Sequence, residues 1–401
     1  MTDVWPILFW GAFGLLSYTH VGFPALMALV GALDRGRARG PDGGPRPKVS
    51  LIIPAYNEAR IIRQKLENAL AIDYPKDRLE ILLGSDASTD DTNAIAEEFR
   101  SRGVRLFFFE ERRGKVSMLN DLTAAATGDV FCFCDANVMF RPDALGRLVD
   151  RLRDPSVGAV TADVRLKSED SDFGEGESLY YKVERAIQLG ESRIGSVMAT
   201  DGGMYVQRRE LFRPLPAAAL NEDFSNTMSV IRQGKRFVYE PDAVADESGT
   251  PSSGIEFRRR VRVAAGSVQS LKWGEWPPLS RPVELWQYLS HKLLRWLGPY
   301  LLVSLFAGSV LSWPQGVAYR AALLAQGAFY ALAAVSALSV RVRRTPIGGI
   351  PFYFTMSHVA MPIGHVRGLL NRQKVTWNRT DRGGGSAAPA LAVAAPREVP
   401  R

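Results

Sequence analysis

Five apolar runs, at residues 49–53, 79–85, 104–109, 130–134 and 157–163, each stop at a polar turn. Helical stretches at 58–71, 90–101, 115–126 and 142–152 separate them. Strand–helix alternation of this spacing predicts an α/β domain with a mainly parallel, doubly wound sheet. Open sheets of that kind bind ligands beyond the carboxyl ends of their strands. The polar turns are therefore where chemistry is expected. After residue 163 the pattern loosens into helical stretches at 178–190 and 221–233, with a short strand at 204–207 between them.

The flanks are of a different kind. Residues 4–33 contain no Lys, Arg, Asp or Glu. That exceeds the ~20 apolar residues a bilayer span needs. It is too long for a signal-peptide core, and Trp5 and Trp10 suit an interfacial belt. Arg35, Arg37, Arg39, Arg46 and Lys48 follow among Gly and Pro, a flexible basic linker that marks the cytoplasmic side. Residues 297–313 and 321–340 are two further spanning candidates, with a short turn at Pro314 and Gly316 between them. Arg341, Arg343 and Arg344 again mark the inside. Residues 347–370 are apolar but hold Pro351, Pro362, His358, His365 and Arg367, so they read as an interfacial, re-entrant or fourth spanning element. The chain thus divides into a spanning helix at 1–34, a linker at 35–48, a catalytic-type domain at 49–271 and an interfacial segment at 272–296. A helical hairpin at 297–345, the ambiguous element at 346–370 and a cytoplasmic, largely disordered tail at 371–401 complete it.

A net charge of +8 is compatible with nucleic acid, anionic lipid or phosphorylated substrates. No nucleic-acid motif or zinc-finger spacing accompanies it, which leaves membrane and phosphate and predicts no nucleic-acid partner. The two cysteines, Cys132 and Cys134, share one predicted strand and are poorly placed to bridge. They read as small buried residues in a reducing compartment.

The turns carry the chemistry. The run 130–134 ends in Asp135-Ala136-Asn137, and side chains two apart in an extended segment point the same way. Asp135 and Asn137 are candidate oxygen ligands for Mg²⁺ or Mn²⁺ shared with substrate phosphates; capping of backbone alone is the other reading. Ala55, Tyr56, Asn57 and Glu58 end the first strand, and a helix start there offers N–H groups to an anion. Asp86 ends the second strand and can accept from a ribose or a base edge. After the third, Lys115 can neutralise phosphate. Glu222 and Asp223 open a helix, where a carboxylate can serve as a general base or simply favour the dipole. The arginines at 258–260 and 262 line an amphipathic helix that faces membrane surface, phosphates or solvent.

Taken in order, these turns resemble the family 2 glycosyltransferases of GT-A fold, over about residues 48–296. The resemblance implies a Rossmann-like, mainly parallel cytoplasmic domain carried on transmembrane helices, as in membrane-embedded processive polysaccharide synthases. Pro54-Ala-Tyr-Asn-Glu58 looks like the opening nucleotide-binding turn, with Ala55, Tyr56 and Glu58 toward the donor. Asp86 stands where the family contacts uracil, and Lys115 and Asn120 match its third donor segment. Asp135-Ala-Asn137 stands at the metal-binding Asp-x-Asp, with a neutral Asn137 in place of the second carboxylate. Asp223 takes the place of the catalytic base, with Glu222 beside it, and Gly202 and Gly203 that of the acceptor segment. Lys292-Leu-Leu-Arg-Trp296 resembles the Gln-x-x-Arg-Trp motif, with Lys292 replacing glutamine. There Arg295 would face the diphosphate and Trp296 would stack on the acceptor sugar, unless the pair only anchors a spanning helix.

The implied activity is inverting transfer from a nucleotide-sugar donor, taken as UDP-linked, to a glycan acceptor. It implies Mg²⁺ or Mn²⁺, contact with membrane lipid and a multi-pass inner-membrane location. Single addition to a polyprenyl-phosphate or other lipid-linked acceptor is the alternative; a nucleotidyltransferase and a non-catalytic nucleotide-binding membrane protein are others.

Overall fold

The computed structural model describes residues 4–33, 45–167, 175–200, 202–248 and 252–375. Most of the linker expected at 35–48 and most of the expected tail lie outside the described residues.

The chain begins with helices α1 (Val4–Ser17) and α2 (Phe23–Leu33), joined through a π-helical turn at Tyr18–Gly22. The central domain then runs β1 (Val49–Ala55), α3 (Ile62–Leu70), β2 (Leu79–Asp86), α4 (Thr92–Glu97), β3 (Val104–Phe109), α5 (Lys115–Ala125), β4 (Val130–Cys134) and β5 (Val138–Phe140). It continues with α6 (Ala144–Arg151), β6 (Val157–Lys167), α7 (Glu175–Ile194), β7 (Met204–Arg208), α8 (Glu222–Arg232) and β8 (Arg236–Ser248). Helices α9 (Ser253–Lys272), α10 (Pro282–Tyr288), α11 (Leu294–Leu311), α12 (Val317–Leu338), α13 (Val340–Arg343) and α14 (Pro346–Leu369) follow.

Among the described residues, eight strands form one sheet in the order β3-β2-β1-β4-β7-β6-β8-β5. The half from β3 to β4 is parallel. Beyond it β7 is antiparallel to both β4 and β6, and β6 and β8 are parallel. The first half follows from its sequence, since strands buried on both faces read as continuous apolar runs. β1 and β4 are buried throughout. The second half is the mixed part that the loosening pattern foreshadowed. Strands β5 and β8 were not expected. β8 is rich in acidic residues and contains Pro241, and β5 is three residues long, so neither carries a period-2 apolar signal.

Among the described residues, three helices are long and apolar enough to cross a membrane: Val4–Leu33, Pro282–Leu311 and Val317–Leu338. The second is continuous through a π turn at Leu289–Leu293, so the Lys292–Trp296 segment lies within the helix and not ahead of it. The ambiguous element, α14, is one helix packed along α9. A Cβ on Gly364 would come within 2.4 Å of Val261 O, and one on Gly368 within 2.6 Å of Ala265 O. Two small residues four apart allow this backbone approach. Lys272 Nζ closes the helix end by donating to Gly368 O and Leu369 O at 3.0 and 2.9 Å. On α9, buried Glu256 binds Arg259 and Arg260 at 2.7 and 2.9 Å, and Arg260 also lies over the Tyr180 and Tyr353 rings. Arg260, one of the expected surface arginines, is thus committed to packing α9 against α7 and α14, while Arg259 stays 40 % exposed beside Glu256 on its own helix.

Candidate active site

A cleft at the carboxyl end of the parallel half is lined by Pro54, Lys115, Asp135, Gly202, Glu222 and Asp223. Lys115, the first residue of α5, links the two sides. Its Nζ lies 2.7 Å from Asp135 Oδ1 at the end of β4 and 2.6 Å from Glu222 Oε1 at the start of α8. Burial alone would push this ammonium down, but the two carboxylates outweigh it and hold its pKa above the usual lysine range. Burial likewise opposes the charge of Glu222, and Lys115 reverses that, keeping the Glu222 carboxyl below its ordinary value. Asp223 has no such cation of its own. Burial first, and the charge of Glu222 second, push its pKa up to about 6.

Asp223 is held by its helix start. Its Oδ1 accepts from the N–H of Phe224 at 2.9 Å. Its Oδ2 faces Gly202, whose absent Cβ would sit 3.5 Å away. Gly202 has a φ of +72°, a conformation that glycine adopts without strain. Gly203 accepts from the N–H of Asp135 at 3.2 Å, which ties the 202–203 segment to the end of β4. The other residue of that motif, Asp201, lies outside the described residues. Asn221 seats α8 on α9, donating to Val263 O at 3.0 Å, and Gly266 leaves room for it.

Several expected residues are placed differently from the sequence reading. Asp135 and Asn137 lie in the turn between β4 and β5, not in an extended strand, so the same-side argument does not hold. Asp135 turns to Lys115, whereas Asn137 Nδ2 donates to Glu247 Oε1 at 3.0 Å. The N–H groups of Asn57, Glu58 and Ala59 do not await an anion; they donate to Ser88, Thr92 and Asp90 at 3.0, 2.7 and 3.1 Å. The first two turns therefore brace each other. Both oxygens of Asp86 accept from the backbone, from Arg113 N and Gly114 N at 2.8 Å each. Asp86 thus shapes the turn that presents Lys115. Asn120 pins the backbone of Leu215 through both ends of its amide, at 2.8 and 3.2 Å. Ala55 is buried at the end of β1, and the Tyr56 ring lies under the Arg112 guanidinium at 3.7 Å.

Arg295 pairs with Glu184 of α7. Trp296 packs edge-on to Phe224 and Tyr288, with centroids 6.0 and 5.9 Å away, and so touches the residue after Asp223. The structure thereby brings together Lys115, Asp135, Glu222, Asp223 and Gly202, with Trp296 one residue removed. Asn120 and Asn137 stand apart, each bonded elsewhere.

Sequence reasoning missed three contributors. Lys65 is fully buried and donates to Val138 O and Cys134 Sγ at 2.6 and 2.8 Å, clamping the turn that carries Asp135. Its signal was a lysine on the apolar stripe of Ile62, Leu66 and Ala69. Glu247 lies on the unexpected β8. Tyr205 lines the cleft, stacked on Phe133 and bonded to Asn226 at 2.8 Å.

The donors fit a divalent cation in part. Asp135 keeps a 31 % exposed side chain with one oxygen on Lys115, while Asn137 is turned to Glu247 and stands apart from it. Among the described residues no three His, Cys, Asp or Glu side chains form a metal cluster. This oxygen-only set suits a hard cation that completes its shell with substrate oxygens and water.

Comparison with known proteins agrees with this geometry. Residues 50–215 match the model of glycosyl transferase family 2. A probable glycosyltransferase, YdaM of Bacillus subtilis, is 31 % identical over 234 residues, 55 % of this chain and 55 % of that protein. A poly-beta-1,6-N-acetyl-D-glucosamine synthase of Staphylococcus epidermidis is 24 % identical over 237 residues, 58 % of this chain and 57 % of that protein. The chain therefore spans about half the length of the curated relatives it matches. Among solved structures, the mannosyltransferase PcManGT of Pyrobaculum calidifontis, in complex with GDP-Man and Mn²⁺, superimposes with a TM-score of 0.67 at 27 % identity. That match covers 91 % of this chain and 100 % of the other. With its mixed, mostly parallel sheet and its cleft at the strand ends, the chain carries a family 2 glycosyltransferase domain of GT-A fold.

Proposed function

We propose that the protein is an inverting glycosyltransferase of the inner membrane, moving a sugar from a nucleoside diphosphate donor to a hydroxyl of a glycan acceptor. The observation that carries this is the pairing of Asp223 with Gly202 beside the Lys115 bridge. An acceptor hydroxyl has a high pKa, and a buried carboxylate with a raised pKa is a better base than an exposed one. Oδ2 of Asp223 faces the side that Gly202 leaves open, so an acceptor can enter there. Lys115 is the cation at the other side of the cleft, where negative charge develops on a departing diphosphate. Tyr56 and Arg112 form a flat platform for the nucleobase. Asp135, together with substrate oxygens and water, would hold Mg²⁺ or Mn²⁺, which supplies Lewis-acid stabilisation of the diphosphate.

Arg46, Lys48 and the arginines at 341, 343 and 344 flank the spanning helices and support a cytoplasmic catalytic face. The likeness to poly-N-acetylglucosamine synthases supports a polysaccharide acceptor. We take the donor as uridine-linked; GDP-mannose, bound by PcManGT, is the second candidate.

The test is release of nucleoside diphosphate by the detergent-purified protein. UDP-glucose, UDP-galactose, their N-acetyl forms and GDP-mannose are supplied with Mn²⁺, with and without a polyprenyl-phosphate extract, and Asp223→Asn is the control. Metal-dependent release that the control lacks is expected. No release from any donor under any of these conditions overturns the reading.

A further inference from the structure

Lys115 and a divalent cation have the same partner. The ammonium stands 2.7 Å from Asp135 Oδ1, on an oxygen that the metal would take. It also stands 2.6 Å from Glu222 Oε1, so a cation already lies between the two carboxylates. Those carboxylates hold its pKa above the usual lysine range, which keeps it an ammonium at neutral pH.

Of these three side chains, Lys115 is the movable one. Asp135 sits in a turn fixed from several sides. Its N–H donates to Gly203 O at 3.2 Å, and its carbonyl accepts from the N–H of Val138 at 3.2 Å. Buried Lys65 holds Val138 O at 2.6 Å. Glu222 is buried in the first turn of α8. The backbone ahead of Lys115 is fixed as well, by Asp86, which accepts from the N–H groups of Arg113 and Gly114 at 2.8 Å each. Beyond that fixed backbone the lysine keeps a flexible four-carbon stem. Its ammonium can therefore swing while α5 stays in place.

A dication beside that ammonium meets like charge at close range. Asn137, turned to Glu247 at 3.0 Å, adds no charge that would offset this. A diphosphate changes both sides of the balance. It offers oxygens to the metal, and it offers the ammonium a second anionic partner.

We infer that Lys115 guards the metal ligand: its ammonium holds Asp135 until a nucleoside diphosphate arrives, then moves to the diphosphate and releases that oxygen to the cation. Lys115 thereby makes metal binding depend on nucleotide. This rests on the glycosyltransferase reading of the cleft and assigns the order in which its ligands enter.

The test is Mn²⁺ binding to the full chain in detergent without nucleotide, read from the electron paramagnetic resonance of free Mn²⁺. Lys115→Met and Lys115→Arg are compared with wild type, and Lys115→Met is combined with Asp135→Asn to locate the ion. Each variant is checked for a monodisperse fold. Removing the competing ammonium should tighten the Mn²⁺ Kd about tenfold or more in Lys115→Met, and Lys115→Arg should stay within about threefold of wild type. The double variant should lose the gain. In EDTA, Lys115→Met should weaken UDP or GDP about fivefold, because the diphosphate loses its cation. A further arm uses wild type alone and needs no variant to fold: the Kd of UDP or GDP should be about tenfold tighter in Mn²⁺ than in EDTA.

An unchanged or weaker Mn²⁺ Kd in Lys115→Met overturns the inference. So does a gain that survives the loss of Asp135, an unchanged nucleotide Kd in Lys115→Met, or a wild-type nucleotide Kd indifferent to Mn²⁺. Nucleoside diphosphate release by wild type is read separately. If no donor gives release while Mn²⁺ binding depends on Lys115 in this way, the transferase reading falls and the exchange of lysine for metal stands. If release occurs and Mn²⁺ binding ignores Lys115, the inference falls and the transferase reading stands.

Discussion

Lys115 Nζ lies 2.6 Å from Glu222 Oε1, and this contact joins the start of α5 to the start of α8 across the cleft. It also separates the roles of two adjacent carboxylates. Glu222 is neutralised by a cation, whereas its neighbour Asp223 is left with a raised pKa and an oxygen facing Gly202. Burial and the charge of Glu222 raise the pKa of the proposed base, and Lys115 moderates that rise.

The pH profile should show this. Asp223 must be ionised to accept a proton, so kcat/KM should rise about tenfold per pH unit below about 6 and level off above it. Glu222→Gln removes the negative neighbour and should move that limb to lower pH. Lys115→Met removes the nearby cation and should move it higher while lowering the rate. Nucleoside diphosphate release from about pH 4.5 to about pH 8 measures all three; a limb that does not move in either variant would contradict the assignment of Asp223.

The same shift bears on stability. Because the fold raises the Asp223 pKa, its proton is held more tightly in the folded than in the unfolded state. Below the unfolded value the group is neutral in both states and costs nothing. As pH rises through about 6 the folded state loses ground. Asp223→Asn should therefore lose turnover and yet melt at a higher temperature than wild type above that pH, with the difference closing in acid. Thermal melts in detergent at both ends of the range decide it.

Gly202 should tolerate little. A side chain there meets Asp223 and forces a left-handed backbone on a residue that resists it. Gly202→Val should raise the acceptor KM by more than tenfold and leave the nucleotide Kd within about twofold. A matched loss of both would place Gly202 in the donor site.

His291 and Glu191 are both buried where α7 meets the spanning helix, and they are 2.7 Å apart. Removing one partner of a buried pair costs about 3–5 kcal/mol. Glu191→Leu should destabilise the protein on that scale and release α7 from the helix, seen as faster protease cleavage within α7. Unchanged melting would show that the pair contributes nothing to holding domain and membrane helices together.

Gly364 and Gly368 bring α14 against the backbone of α9. Gly364→Leu cannot be accommodated beside Val261 O and should separate the two helices. Cysteine pairs introduced across this contact should crosslink in the parent and not in that variant.

Sequence alone determined the flanking apolar helices, the parallel half of the sheet and the turns at the strand ends. Those features are local: an unbroken apolar run, a strand–helix alternation and a polar turn each depend on residues close in the chain. It also singled out Lys115, Asp135, Glu222 and Asp223 as candidates, because each stands at an element boundary. Only the tertiary structure decided what those residues do to one another. The bridge of Lys115 between Asp135 and Glu222 spans 107 residues from the first helix residue to the second. Asn120 meets Leu215, Asn137 meets Glu247 and Asp86 meets the 113–114 backbone, none of which a local pattern encodes. Buried polar groups must find partners wherever the packed chain brings them. The same residue type can therefore become a pin, a brace or a base, according to the neighbour that folding supplies.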